Sequence, residues 1–281
     1  MPFHWNSLAA SFSGAQVMWT LILAALLVLL TVLYGRDRAR RLPWFTASIL
    51  LVAFLRLVSR ILYNRMAPIP ANIVVLSLAD LSAVVGLLVL VELARRGFKG
   101  ASKRTLAVWA IILLVAGVAL VAYWGPWPSR QTLGAVSLLA VLQLMNLAAQ
   151  RIELLVNMLA LGLGVLIHLF GRRYQAGWRS QTQKIVIGLS TVGISQLAVR
   201  GIWQAIAIHT TVHSQAEYDH VMNLQNKLYG GNNVVYLAAL VWWIAWLWVD
   251  EPGTAAGSPA GQPPVAEIAP PGDGGETGPG E

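Results

Sequence analysis

The sequence predicts an all-α, polytopic membrane protein with seven transmembrane helices, and three observations carry that prediction. Hydrophobic residues fill 57% of 281 positions and charged residues only 11%, against roughly 45–50% and about 25% in soluble domains. Seven apolar stretches between residues 17 and 249 each approach the ~20 residues needed to cross a hydrocarbon core of ~30 Å. The connections between them alternate in basic content. Residues 35–43 hold Arg36, Arg38, Arg40 and Arg41; residues 95–104 hold Arg95, Arg96, Lys99, Lys103 and Arg104; residues 172–184 hold Arg172, Arg173, Arg179 and Lys184. The intervening connections hold only Arg65, Arg130 and Lys227. Basic loops stay on the cytoplasmic side, which predicts an N-out/C-in protein of the inner (plasma) membrane, with the bilayer as its first partner.

Residues 1–16 form an outer segment without a basic n-region, so the first stretch, 17–34, reads as an uncleaved anchor. The second, 44–63, enters after Pro43, a favoured residue at a helix start. Pro68 and Pro70 interrupt the chain before the third, 72–94. The fourth spans 105–123, and Gly125, Pro126 and Pro128 end it beside the interfacial Trp124 and Trp127. From Thr132 to Phe170 there is no proline, and one helix of that length would run ~60 Å, twice the membrane core. Two crossings there would export the Arg172–Lys184 connection and erode the basic asymmetry. The expectation is therefore an outer interfacial helix at 129–146 and a fifth crossing at 148–171. The sixth and seventh follow at 184–208 and 232–249. The tail, 250–281, is rich in Pro, Gly, Ala and Glu and is expected to be a disordered cytoplasmic segment.

Helices one to three and five to seven share local matches in order. Leu33-Tyr34-Gly35-Arg36 parallels Leu169-Phe170-Gly171-Arg172, and Arg60-Ile61-Leu62-Tyr63 parallels Arg200-Gly201-Ile202-Trp203. Asn72-Ile73-Val74-Val75-Leu76 parallels Asn232-Asn233-Val234-Val235-Tyr236. Such ordered matches predict a parallel 3+1+3 repeat. A microbial rhodopsin would need a lysine in the seventh helix, and 232–249 contains none. Sugar transporters of 3+1+3 type carry prolines inside gating helices, and these interiors have none.

Asp80 early in the third helix, Glu92 near its end, Gly171-Arg172-Arg173 and Trp178-Arg179 after the fifth, and the Gly188 region of the sixth form a loose pattern. It resembles a group of uncharacterised bacterial seven-helix integral membrane proteins. The resemblance implies the fold and carries no assigned activity.

The formal charge of +8 belongs to the topology signal, so no nucleic-acid partner is expected. Absence of cysteine excludes disulfides, thiolate metal sites and Cys nucleophiles. No nucleophile elbow, phosphate loop or HExxH is present, and no cofactor is expected. Gly162, Gly164, Gly188 and Gly193 read as helix-packing positions. Glu92 and His168 read as interfacially solvated groups near helix ends.

Charges inside a membrane cost ~2.5–3.5 kcal/mol each on insertion scales and face a partner or a wet cavity. Arg56, Arg60, Asp80, Arg151, Glu153 and Arg200 fall in the outer part of the predicted helices, with Gln196 and Gln204 on the Arg200 face. Two arrangements suit them. One is an ion-pair network, Arg56–Asp80 and Arg151–Glu153, with the other arginines reaching to headgroups. The other is an outward-facing cavity whose surplus arginines bind an anionic small molecule. His209, His213 and Glu217 would line one face of a helical extension, a spacing that can bind zinc, with His220 nearby; solvated loop residues are the commoner case, and no metal is expected. The functional expectation is a non-catalytic receptor or sensor module, or a subunit that acts through a separate cytoplasmic or membrane partner. A small-solute transporter of 3+1+3 type is the alternative, and an integral membrane enzyme the third reading.

Overall fold

The computed structural model describes residues 14–98, 101–124, 138–170, 181–210 and 214–249. Helix accounts for 95% of it and, among the described residues, there is no strand. Seven helices are long and apolar enough to cross a membrane: α1 Gly14–Gly35, α2 Pro43–Arg65, α3 Pro68–Gly97, α4 Lys103–Trp124, α5 Leu138–Phe170, α6 Gln181–His209 and α7 Gln215–Trp248. A short helical turn, Arg38–Arg41, joins α1 to α2. The chain is a multi-pass membrane protein in architecture. Large apolar side chains are exposed on every one of the seven, among them Leu27, Phe54, Leu81, Val115, Leu139, Ile194 and Val241. Lipid is the solvent in which such exposure is favourable.

Two boundaries differ from the sequence reading. The expected interfacial helix and fifth crossing are one helix beginning at Leu138; residues 129–137 lie outside the described set, as do 1–13, His213 and the tail 250–281. Nothing between Leu138 and Phe170 breaks a helix, and the hydropathy of a segment marks where lipid is, not where the helix stops. The seventh helix starts 17 residues before 232, at Gln215. A capping box starts it: the Ser214 side chain accepts from the Glu217 N–H, and the Glu217 carboxylate accepts from the Ser214 N–H. α5 and α7, at 33 and 34 residues, are ~50 Å long and overreach a ~30 Å hydrocarbon core.

Six helices close a ring. α1 packs on α2, α2 on α3, α3 on α5, α5 on α6, α6 on α7, and α7 back on α1; α3 also meets α6, and α4 stands outside against α5. At one end of the ring lie the α1–α2 and α3–α4 connections and the start of α6, which carry the arginines and lysines. Below, this is the basic end. Its apolar core is the best packed part of the protein: Ile22, Leu26, Leu29 and Leu33 form a stripe on α1 at helical spacing, against Phe45, Leu93, Ile167, Ile185, Leu240, Trp243 and Leu247.

The basic end is also tied by polar contacts. The Arg38 guanidinium is buried and donates to the Val249 carbonyl at 2.9 Å, a cation on the orphan carbonyls that end α7. The Arg36 guanidinium lies 5.2 Å from the Trp248 ring centroid. Across the ring, the Trp242 and Trp243 indole N–H groups donate to the Lys184 and Ile185 carbonyls, each at 3.2 Å. A Cβ on Gly188 would strike the Trp243 indole, so this close approach requires glycine. Gly164 faces Ser190 just as tightly, and the Ser190 hydroxyl donates to the Ala160 carbonyl at 3.0 Å. The packing role expected for these glycines is the one they have.

Candidate functional site

Above this core the interior of the ring becomes polar. A cavity of about 350 Å³ is lined by Arg56 on α2, Ser82 on α3, Glu153 and Asn157 on α5, Gln196 on α6, and Asn232, Asn233 and Tyr236 on α7. Its floor toward the basic end is apolar, with Phe45, Val89 and Leu90. A second cavity, about 360 Å³, adjoins it and is lined by Gln150, Glu153, Asn157, Gln196, Arg200, Gln225, Tyr229 and Asn232. The two share Glu153, Asn157, Gln196 and Asn232 as walls. Counted along their helices from the basic end, these four lie ~20–25 Å in, and Gln150, Arg200 and Gln225 lie ~28–35 Å in. The second cavity therefore continues the first away from the basic end.

The electrostatics are uneven. Arg56 sits over the Tyr236 ring, 5.6 Å from its centroid, and makes no ion pair among the described residues. Arg200 donates to the Gln150 carbonyl at 3.0 Å and is the charged neighbour of Glu153. Asn232 is held by the Ser195 hydroxyl, which donates to its Oδ1 at 2.9 Å. Two guanidinium groups thus meet one carboxylate across adjoining cavities, among amides that can donate or accept. Such walls can bind and orient a small anion.

Of the expected site residues, the structure brings Arg56, Glu153, Gln196 and Arg200 together. Arg60, Arg151, Asp80 and Gln204 line neither cavity. Arg60 is exposed, with its guanidinium 5.9 Å from the Trp19 ring of α1. The expected Arg56–Asp80 pair is not formed: Asp80 Oδ1 is buried without a hydrogen-bond partner. Of the residues whose spacing could suit zinc, His213 lies outside the described residues. α6 ends at His209, Glu217 is engaged in the α7 capping box, and no metal-type cluster of His and acidic side chains occurs among the described residues. Glu92, read as solvated, is buried instead. Lys227 is now on α7 but exposed and away from both cavities, so it is not placed as a Schiff-base lysine.

Asn157, Asn232, Asn233, Tyr236, Gln150, Gln225 and Tyr229 were missed. A search for charges passes over amides, although an Asn among apolar neighbours, as in Leu155-Val156-Asn157-Met158-Leu159, is itself a signal. Asn232 and Asn233 were assigned to the opening of the seventh helix and so to the membrane surface. No protein-family model, curated protein or solved structure matches this chain.

Proposed function

We propose that this chain is a non-catalytic seven-helix module of the inner membrane, N-out/C-in, that binds a small anionic solute in the polar layer of its ring. The observation that carries this reading is Arg56, a guanidinium in a cavity wall with an aromatic ring and no carboxylate against it. A cation kept in an apolar bundle without an acid partner is expensive, and an arginine fork suits carboxylate or phosphate. The second cavity, with Arg200 at its wall, extends toward the outer side in this topology, and Phe45, Val89 and Leu90 close the inner side. A signal from the bound solute would pass to a separate partner protein.

A second reading, a small-solute transporter, draws support from the ring. The order α1-α2-α3-α5-α6-α7 maps onto itself when the first three helices exchange with the last three, and α4 is left as linker. The match between Asn72 and Asn232 weakens it, since the first stands four residues into α3 and the second seventeen into α7.

Purified full-length protein should be melted in sodium phosphate, acetate and succinate against sodium chloride at matched ionic strength. At least one anion should raise the Tm of the wild type and leave Arg56→Gln unmoved. No shift with any of the three, or an equal shift in Arg56→Gln, overturns the reading. Uptake of the stabilising anion into proteoliposomes would favour the transporter over the receptor-like module.

A further inference from the structure

Outside the ring, α4 packs chiefly on α5, with Trp124 at its far end against Gly201 of α6, and a separate groove opens between α3, α4 and α5. Its volume is about 220 Å³, and Val91, Phe98, Trp109, Leu113, Leu163 and Leu166 give it apolar walls. Arg95 stands in its lining at the basic end. Arg96 follows on α3, and the exposed Arg104 stands in the first turn of α4, next in sequence to the lining Thr105. From the start of α4 to Leu113 the groove runs ~15 Å, half of a ~30 Å hydrocarbon core, which is one leaflet. We infer that this groove is a binding site for an anionic phospholipid of the leaflet at the basic end, with an acyl chain between α3, α4 and α5 and the headgroup phosphate at Arg95 and Arg104.

Charge complementarity decides the occupant. A neutral lipid or a partner helix would use the apolar walls and leave the arginines unmatched. Arg95 and Arg104 are exposed, and neither makes an ion pair with an acid among the described residues. Arg96 differs, because it is paired with Glu92 at 3.4 Å. A headgroup above and an acyl chain below satisfy both halves of the groove, and basic pockets between membrane helices take anionic headgroups in this way. The lipid also covers the α4 face at the basic end that looks into the groove. The site is independent of the solute cavity, which α4 does not line.

The test is lipid retention by the full chain. Protein in nanodiscs of mixed phosphatidylglycerol and phosphatidylcholine is extracted into mild detergent, and retained lipid is counted by native mass spectrometry. Phosphatidylglycerol should be retained in preference, and Arg95→Gln/Arg104→Gln should weaken that preference by roughly fivefold per arginine. Ala110→Trp, which fills the groove with the arginines intact, should lower retention of the same lipid. Arg40→Gln/Arg41→Gln removes equal charge from another connection and should leave retention unchanged. Equal retention of the two lipids by the wild type overturns the proposal. So does a preference that survives in Arg95→Gln/Arg104→Gln, or one lost equally in Arg40→Gln/Arg41→Gln. Circular dichroism of each variant separates loss of lipid from loss of fold.

Discussion

Glu92 Oε2 accepts the backbone N–H of Phe45 at 3.1 Å, so a carboxylate at the end of α3 caps the start of α2. The N-cap residue of α2, Leu42, has no side-chain oxygen to offer, and the first N–H groups of any helix lack intrahelical partners. The acid also lies at the positive end of the α2 dipole. Phe45 meets the Trp243 ring edge-on at 5.4 Å, so the same contact sets α2 against α7. Replacing Glu92 by Ala strips this buried cap, and stability should fall by about 1–3 kcal/mol. Arg96→Ala removes a partner that is 31% exposed, where ion pairs contribute ~0–1 kcal/mol. Thermal unfolding in nanodiscs compares the two; a larger loss for Arg96→Ala would contradict the capping role.

Gly188 and Trp243 should behave as one unit. A methyl on Gly188 meets the indole, and overpacking of this kind costs about 1–3 kcal/mol. Gly188→Ala should be destabilised, and Trp243→Phe should also lose stability, because it gives up both volume and the bond to the Ile185 carbonyl. The double variant should be more stable than the sum of the two single losses, as residues in contact are coupled. Strict additivity in a melting cycle would mean that the helices separate instead of clashing.

The seven membrane-length helices were legible because outward-facing apolar residues dominate each of them, and the side-to-side charge bias needs only a count of arginines and lysines. Helix length was less legible. The turns of α7 before Asn232 are polar and carry no hydropathy signal, yet Ser214 and Glu217 have the spacing of a capping box and mark the true start. Misplacing that start put Asn232 and Asn233 at the surface and hid half of the polar layer. Within that layer, charge alone did not reveal direction. Arg56 and Arg60 are four residues apart and differ by about 40° around the helix, enough to set one over Tyr236 and the other over Trp19.

The topology has its own test. In the proposed N-out/C-in topology, with the basic connections inside, reporter fusions after Arg173 and after Pro252 should both read as cytoplasmic. A periplasmic signal after Arg173 would invert the topology with the N-terminus inside, and with the N-terminus outside would require an eighth crossing between Leu138 and Phe170. That segment is a single helix, and a hairpin there would have to break it.

Asp80 and Arg200 invert the order of stability that an ion-pair network would impose. In such a network Asp80 would be the acid on which the arginines depend, and its loss would leave a buried cation unpaired, at about 3–5 kcal/mol. In the structure Asp80 Oδ1 is buried without a hydrogen-bond partner, while Arg200 ties α6 to α5 through the Gln150 carbonyl at 3.0 Å. Removing an unpaired carboxylate from an apolar helix relieves a cost, so Asp80→Ala should melt at or above the wild-type temperature. Removing a charged donor from this part-buried bond should lower stability by about 1.5–3 kcal/mol in Arg200→Ala. Gln150 would then lose its interhelical partner on the wall of the second cavity. Melting curves of the two variants in the same nanodiscs decide the matter. If Asp80→Ala were the less stable, Asp80 would have a partner in the membrane that the bundle itself does not supply.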